Sequence, residues 1–420
     1  MALAQAANIA EKALGHDKNA ITKQDMSTFP SGGESDLMKA LVWMGKNDVQ
    51  IGNGRAQAQA GGRSRCYSQS NRKYTELVGR QVHNVEVGKR YVASFQIACG
   101  DCYFCERKLS SQCEKTNASN TEKSMYGGRT AGIFGYSHLT GGFAGGQAEY
   151  VRVPMGDVNL LEIPEDIPDE KALFLSDVLA TSYHCVVDTC VRQDDRVAIF
   201  GAGPIGQMAG RFALIQGAEK IIFVDTEPRI TVIKSHFKSE EVDVVDYKKL
   251  SNSSLSSNTV VSQLKKLCDG RGPDVALECA AGEYPKSWLH WLEMNTGAET
   301  DTSEIVNECI ESVRSFGRCG VTGVYAGFTN HFNIGSLMQR GIRLIGNGQA
   351  PVHKYWKGLL EDIQGGRINP LEMVSHRVRL EDLDKVYHAF DAKRDGMQKV
   401  FVETKFSFPA AKGSPTLTRY

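Results

Sequence analysis

One segment of this 420-residue chain constrains its fold more than any other: a strand, a glycine-rich turn, a helix and a second strand in succession. Residues 196–200 form a short apolar strand, residues 201–206 form the turn, and the helix that follows leads to an apolar strand ending at Asp225. Later apolar strands at Val275-Ala-Leu277 and Gly320-Val-Thr-Gly-Val324 continue the alternation of helix and strand. This order predicts a parallel sheet with crossover helices.

The turn itself predicts dinucleotide binding. Gly201 permits the tight turn, Gly203 lets the backbone approach a pyrophosphate, and Gly206 allows the helix to lie close to the strand. The amino terminus of the helix offers free N–H groups and a partial positive charge to phosphates. Asp225 would accept hydrogen bonds from the adenosine ribose hydroxyls and repel a 2′-phosphate, which favours NAD over NADP. The predicted cofactor residues are Gly201, Gly203, Pro204, Ile205, Gly206 and Asp225.

Four of the eleven cysteines cluster as Cys99-Gly-Asp-Cys102-Tyr-Phe-Cys105 and, shortly afterwards, Cys113. Four thiolates at this spacing can converge tetrahedrally on one zinc ion, and a closed shell of cysteines leaves no open position for a substrate. An iron–sulfur cluster is the competing use of four thiolates, and disulfides would need an oxidising compartment that nothing else in the chain supports. We predict that Cys99, Cys102, Cys105 and Cys113 hold a structural zinc.

The overall charge argues against a polyanionic partner. Lysine plus arginine number 49 and aspartate plus glutamate also number 49, so no global field favours nucleic acid or an anionic membrane surface. No apolar run approaches the ~20 residues needed to cross a bilayer, and the amino terminus lacks a secretory pattern. We expect a cytoplasmic protein with a small-molecule substrate and with neither a nucleic-acid nor a membrane partner.

The first half of the chain has strand patterns interrupted by a gap. Strand-forming residues at Met38–Trp43, 85–98 and Ala148–Val153 predict a small β-rich domain. Residues 52–76 contain no Val, Ile, Leu, Met, Phe or Trp. Such a stretch buries too little apolar surface to offset its ordering entropy, which predicts a flexible or misfolded linker. Because the composition changes abruptly at both ends, translation in the wrong frame or from a retained intron is an alternative explanation.

The cysteine cluster, the nucleotide-binding unit and the segment Gly146-Gln-Ala-Glu-Tyr-Val-Arg-Val-Pro154 together resemble the zinc-containing medium-chain alcohol dehydrogenases. The similarity is closer to the branch that includes glutathione-independent formaldehyde dehydrogenase, through Gly132-Ile-Phe-Gly-Tyr136, 141–146 and 176–184. The resemblance covers residues 38–51 and about 78–406. It implies an α/β protein, with a GroES-like β-rich catalytic domain and a Rossmann cofactor domain built on a doubly wound parallel sheet. The expected divisions are a 1–37 extension, a 38–184 catalytic domain with an atypical linker at 52–76, a 185–344 Rossmann domain, a 345–408 return and a 409–420 tail.

The resemblance also implies a separate catalytic zinc, with Asp177 as its third ligand and Thr181 against the nicotinamide. Without the resemblance, Asp177 is interpreted as a helix-capping acid. The family supplies the first two ligands from a Cys-Gly-Ser-Asp-like motif and a Gly-His-Glu motif, which belong in the region of residues 52–76, and neither motif is present. Cys66 and His83 are the only cysteine or histidine residues between Met38 and Cys99, so they are the only soft-ligand substitutes in that stretch.

The function that the resemblance implies is NAD-linked oxidation of a small alcohol or hydrated aldehyde by a homo-oligomer, with zinc as the Lewis acid. Two alternatives stay open. The missing motifs favour a relative that binds zinc and NAD but has no dehydrogenase activity. A dismutase that keeps its NAD bound, and couples oxidation of one aldehyde to reduction of another, would use the same parts.

Overall fold

The computed structural model describes residues 37–45, 48–55, 65–68, 75–251, 256–280, 301–392, 396–405 and 407–420. The chain divides into two compact units: the first comprises Met1–Asp177 and Pro351–Tyr420, and the second comprises Val178–Ala350. Residues 1–36 of the expected extension lie outside the described residues. Across the described ranges, no helix combines the length and apolar character needed to cross a membrane.

The second unit is built on a six-stranded sheet in which all strand pairs are parallel. From one edge to the other its strands are Val242–Asp246, Lys220–Asp225, Arg196–Phe200, Val275–Glu278, Arg318–Val321 and Arg343–Gly346. Because crossover helices pack on both faces of such a sheet, its central strands are almost continuously apolar and buried, as the 196–200 pattern predicts. Its elements are α5 (Val178–Asp188), β10 (Arg196–Phe200), α6 (Pro204–Ile215), β11 (Lys220–Asp225), α7 (Arg229–His236), β12 (Val242–Asp246), α8 (Val260–Leu267), β13 (Val275–Glu278), α9 (Glu304–Ser312), β14 (Arg318–Val321), α10 (Ile334–Gln339) and β15 (Arg343–Gly346).

The core of this unit lies between the sheet and its helices. Ile222 and Ala276 of the sheet pack with Leu264 of α8 and Ile310 of α9, and all four side chains are almost completely buried. The predicted strands at 196–200, 221–224 and 275–277 and the predicted helix at 205–215 are confirmed. The strand predicted at 320–324 lies earlier, in β14, because the N–H groups of Thr322 and Gly323 turn to the carbonyl oxygen of Glu278.

The first unit consists of short antiparallel pairs and a return segment. Its elements before the second unit are β1 (Leu37–Gly45), β2 (Asp48–Arg55), β3 (Arg65–Ser68), β4 (Thr75–Val78), β5 (Tyr91–Ala93), β6 (Gln96–Ile97), α1 (Tyr103–Glu106), α2 (Asn120–Tyr126), β7 (Gly132–Ile133), β8 (Val151–Pro154), α3 (Gly156–Asn159), β9 (Leu160–Glu162) and α4 (Asp169–Ala172). After the second unit the chain continues with α11 (Val352–Gln364), β16 (Val374–Arg379), α12 (Leu383–Asp391) and β17 (Lys399–Glu403).

Strands enter the apolar-poor segment, so the prediction of a linker over residues 52–76 is wrong in part. The end of β2, the whole of β3 and the start of β4 lie in it. Strand β3 pairs with β4 on one side and with β8 on the other. Ladder hydrogen bonds join backbone groups and therefore do not require apolar side chains. Residues 56–64 and 69–74 lie outside the described ranges.

Arg377 of β16 ties the carboxyl-terminal residues to the rest of the first unit. The Arg377 guanidinium pairs with Glu170 and, at 2.9 Å, with Glu403, and it donates to the carbonyl oxygen of Phe408 at 2.7 Å. The Arg377 and Glu170 side chains are each 4% exposed. The backbone N–H of Thr418 donates to the Arg377 carbonyl oxygen at 2.8 Å, and Leu417 forms an isolated bridge with Arg377, so the carboxyl-terminal tail contacts β16 at these residues.

Candidate metal centre and cofactor turn

The four clustered cysteines converge on one point. Their Sγ atoms all lie within 4.8 Å of one another, with 3.8 Å between Cys99 and Cys105 and 4.0 Å between Cys102 and Cys113. A tetrahedral zinc with Zn–S bonds of about 2.3 Å requires sulfur atoms ~3.8 Å apart. All four cysteines are free thiols rather than disulfides. The donor set and its spacing therefore fit a structural zinc.

Tight local turns bring these sulfur atoms together. Gly100 has a φ of +90°, and a Cβ there would lie 2.7 Å from Cγ2 of Val158, so the turn after Cys99 requires glycine on both counts. Cys102 is the amino-terminal cap of α1, which then carries Cys105. A 3-10 helix at Ser110–Gln112 returns the chain to Cys113, whose N–H donates to the Ser110 carbonyl oxygen at 3.1 Å.

Hydrogen bonds within the cluster shift the pKa values of its thiols in opposite directions. The hydrogen bond from Cys105 and a second from Cys99 hold the pKa of Cys113 well below its usual range. A hydrogen bond to Cys105, followed by one to Cys113, raises the pKa of Cys99, and a hydrogen bond to Cys113 raises the pKa of Cys105 to about 12. The Cys99 N–H also donates to Cys113 Sγ at 3.3 Å. The cluster thus stabilises a thiolate, which is the form that binds a metal.

A buried asparagine and a histidine form hydrogen bonds with residues close in sequence to the clustered cysteines. The Asn159 side chain accepts from the Ala98 N–H at 2.8 Å and donates to the Ala98 carbonyl oxygen at 2.9 Å. His353, near the start of α11, contacts Asn159 Oδ1 through Nε2 at 3.1 Å and Ser110 Oγ through Nδ1 at 2.7 Å. Burial lowers the pKa of His353 to about 4, so the ring is neutral at pH 7. No local sequence pattern predicts this set of contacts, because Asn159, His353 and Ser110 lie far apart in the chain.

The glycine-rich turn of the second unit has the geometry that its sequence predicts. Gly201 has a φ of +99°, and a Cβ on Gly206 would lie 1.9 Å from the Gly201 carbonyl oxygen. No heavy atom lies within 4 Å of a Cβ built on Gly203, which caps the amino terminus of α6. Pro204 takes the first helical position, where its missing N–H costs nothing. The helix start is consequently tight against the strand and open on the side where a phosphate would bind.

Asp225 ends β11 beside this turn. Its Oδ2 accepts from the Ala202 N–H at 2.6 Å and from Arg229 at 3.2 Å, and its Oδ1 accepts from the Thr226 N–H at 2.7 Å. The residue is 4% exposed. The carboxylate is therefore fixed in orientation directly next to the turn.

Among the residues that the structure describes, no second group of metal ligands forms around Asp177. Asp177 is partly buried and immediately precedes α5, which carries Thr181. In the part of the chain that the structure describes, the cysteine cluster is the one group of three or more candidate ligands, and Asp177 belongs to none. Of the two soft-ligand substitutes, His83 is exposed and its backbone N–H bonds the Asp157 carboxylate, and Cys66 lies in β3.

The chain is similar to known proteins both within its first unit and over most of its length. Residues 75–165 match the alcohol dehydrogenase GroES-like domain, so the unit that carries the cysteine cluster is of that class. A zinc-type alcohol dehydrogenase-like protein of Schizosaccharomyces pombe is 33% identical over 400 residues, which cover 94% of this chain and 88% of that protein. The chain belongs to the zinc-type alcohol dehydrogenase family, as its motifs predict.

Two further relatives agree with this placement. A glutathione-independent formaldehyde dehydrogenase of Pseudomonas aeruginosa is 30% identical over 348 residues, covering 77% of this chain and 78% of that protein. The solved alcohol dehydrogenase from Thermus sp. ATN1 has a TM-score of 0.71 at 25% identity and covers 87% of this chain and all of its own length. The predicted fold class, a GroES-like domain with a Rossmann domain, is confirmed.

Proposed function

We propose that this chain is a zinc-dependent, NAD-linked oxidoreductase that acts on a small alcohol or hydrated aldehyde. The observation that carries the proposal is the occurrence, in one chain of this family, of four converging thiols and a glycine-rich strand-to-helix turn to which Asp225 is hydrogen-bonded. The balanced charge of the chain suits a small substrate in the cytoplasm. We extend the proposal to a homo-oligomer, in line with the family resemblance.

The residues around the turn support NAD as the cofactor. The open space at Gly203 and the free N–H groups at the start of α6 suit a pyrophosphate. Each carboxylate oxygen has two lone pairs, and Asp225 Oδ1 accepts one hydrogen bond, from the Thr226 N–H, which leaves it able to accept from a ribose hydroxyl. Its negative charge would repel a 2′-phosphate, which favours NAD over NADP.

The zinc chemistry separates into two parts. A structural zinc on Cys99, Cys102, Cys105 and Cys113 is supported by the distances between their sulfur atoms. A catalytic zinc needs three protein ligands and one open position, at which it polarises the substrate oxygen. We propose Asp177 as one such ligand and Thr181 as a contact of the nicotinamide. The described residues bring no group of three ligands to Asp177, so we derive no catalytic step through that ion.

The same observation favours a second candidate function, that of a zinc- and NAD-binding relative without dehydrogenase activity. Elemental analysis of the full chain, purified without added zinc, separates the two. About two zinc ions per chain, as expected of a chain with structural and catalytic sites, together with NADH formation from an added alcohol, support the oxidoreductase. One zinc per chain, with NADH binding but no turnover, supports the second candidate, and absence of NADH binding by calorimetry would overturn both.

A matched pair of variants locates the second zinc. Asp177→Ala is expected to lose one zinc per chain, whereas Asp166→Ala, which removes an exposed carboxylate nearby, is expected to retain both. Equal metal content in the two variants would remove Asp177 from the site. Aldehyde conversion to alcohol and acid without net NADH release would indicate the dismutase reaction instead.

A further inference from the structure

Both the oxygen and the nitrogen of the Asn159 side-chain amide form hydrogen bonds, and the residue is fully buried. The side chain is buried with Ala98, and its Nδ2 donates to the carbonyl oxygens of Ala98 and Pro154, each at 2.9 Å. Because carbonyl oxygens only accept, these two partners fix which end of the amide carries nitrogen. Oδ1 therefore faces the Ala98 N–H and His353 Nε2.

The histidine tautomer follows from that assignment. Asn159 Oδ1 only accepts, so His353 Nε2 must carry the proton and donate to it. Nδ1 of the neutral ring is then an acceptor, and the Ser110 hydroxyl donates to it across 2.7 Å. Every polar atom of this set has a partner, so Asn159, His353 and Ser110 form one connected network, which we call the amide–imidazole network.

We propose that Asn159 and His353 are positioning residues that set the geometry of the zinc site formed by the four clustered cysteines. The proposal deepens the proposed function and rests on its structural zinc. Asn159 acts through its hydrogen bonds to the backbone of Ala98, and His353 acts through its hydrogen bond to the Ser110 hydroxyl.

Asn159 connects the network to Cys99 through the peptide group between Ala98 and Cys99. The Ala98 carbonyl and the Cys99 N–H belong to one peptide group, which is planar. Asn159 holds the carbonyl end of that group, while the N–H end donates to Cys113 Sγ at 3.3 Å. Because the peptide group is rigid, holding its carbonyl oxygen also orients its N–H, so Asn159 directs the Cys99 N–H towards Cys113 Sγ.

His353 connects the network to Cys113 through Ser110. Ser110 is 2% exposed and begins the 3-10 helix that precedes Cys113. Its carbonyl oxygen accepts a hydrogen bond from the Cys113 N–H. His353 fixes the Ser110 hydroxyl, and α11 fixes His353, whose ring also packs on Trp356 with the ring centres 4.7 Å apart. The network thus reaches the cluster from both sides, at Cys99 and at Cys113. Loss of such outer partners commonly lowers metal affinity by about 10- to 100-fold.

The test measures zinc release from the intact, zinc-loaded chain by a chromogenic chelator in native buffer. Asn159→Ser removes the amide hydrogen bonds to Ala98. His353→Phe keeps an aromatic ring against Trp356 while removing the hydrogen bonds to Ser110 and Asn159. Val352→Ala is the control, because Val352 is fully buried at the start of the same helix and lies outside the network. Melting temperatures of all three variants are recorded in parallel.

We expect His353→Phe and Asn159→Ser to release zinc at least ~10-fold faster than the wild type, and Val352→Ala to stay within about two-fold despite its lower melting temperature. Release rates that follow melting temperature across all three variants would overturn the inference, as would an unchanged rate in His353→Phe if Asn159→Ser does not fold. Wild-type protein without zinc on these cysteines would instead overturn the proposed zinc site, and the inference with it.

Discussion

Replacing the glycines of the cofactor turn one at a time separates cofactor binding from fold stability. Gly206→Ala would place a Cβ 1.9 Å from the Gly201 carbonyl oxygen and 3.2 Å from Ile199 Cγ2. The start of α6 must then move by roughly 1 Å, and overpacking of this kind costs about 2–3 kcal/mol. For a unit of this size we expect the melting temperature to fall by about 5–10 °C.

Gly203→Ala is the matched variant, because the same methyl group meets no heavy atom within 4 Å. Gly203 has a φ of −70°, which alanine adopts without strain. Alanine is a poorer helix cap but loses less backbone entropy on folding, so the free energy of unfolding should change by less than about 1 kcal/mol. If the pyrophosphate lies against Gly203, the methyl group takes its space, and NADH should bind at least ~10-fold more weakly.

The assay combines thermal unfolding without cofactor and calorimetric titration with NADH. The expected pattern is a stability loss in Gly206→Ala and an affinity loss without a stability loss in Gly203→Ala. Wild-type NADH affinity in Gly203→Ala would refute the placement of the phosphates. A wild-type melting temperature in Gly206→Ala would refute the packing argument.

Three further predictions concern the first unit. Cys113→Ser should lower the zinc content by one per chain by elemental analysis, and an unchanged content would remove the four-cysteine site. Burial lowers the pKa of His353 to about 4, so the stability that its neutral form contributes is present above pH ~6.5 and is lost as the pH falls towards 4. His353→Gln should therefore reduce the slope of unfolding free energy against pH in this range, measured by denaturant titrations. An equal slope in the variant and the wild type would contradict this prediction. Arg377→Met should lower the free energy of unfolding by about 3–5 kcal/mol, because the buried Glu170 carboxylate loses its ion-pair partner and keeps a hydrogen bond from the neutral Ala411 N–H. A loss below about 1 kcal/mol, measured by urea unfolding, would contradict this prediction.

The elements that the sequence predicts correctly are those specified by residues close together in the chain. The predicted helix at 205–215 begins one residue earlier, at Pro204, and the strand at 196–200 matches β10. A continuous apolar run bounded by glycine or proline is a local signal, and so is the spacing of four cysteines within fifteen positions of the chain. Such patterns predict an element or a site without any knowledge of its neighbours.

The features that the sequence does not predict depend on distant partners. Strand β3 pairs with β4 and also with β8, which lies far along the chain, and it contains no Val, Ile, Leu, Met, Phe or Trp that would signal a strand. His353 and Ser110 meet although they are 243 positions apart. Alone, each looks like an ordinary polar residue near a helix start. Only the assembled first unit shows what they contact.

The interrupted path of the chain through its first unit governs the order in which the protein can fold during synthesis. The second unit, Val178–Ala350, is one continuous stretch and can fold as soon as it has left the ribosome. The first unit needs His353 for Ser110, and Arg377 with Phe408 for Glu170, so the nascent amino-terminal half must wait for the last part of the chain. A chain that terminates shortly after Ala350 would therefore contain all of the second unit but would lack the return segment that completes the first.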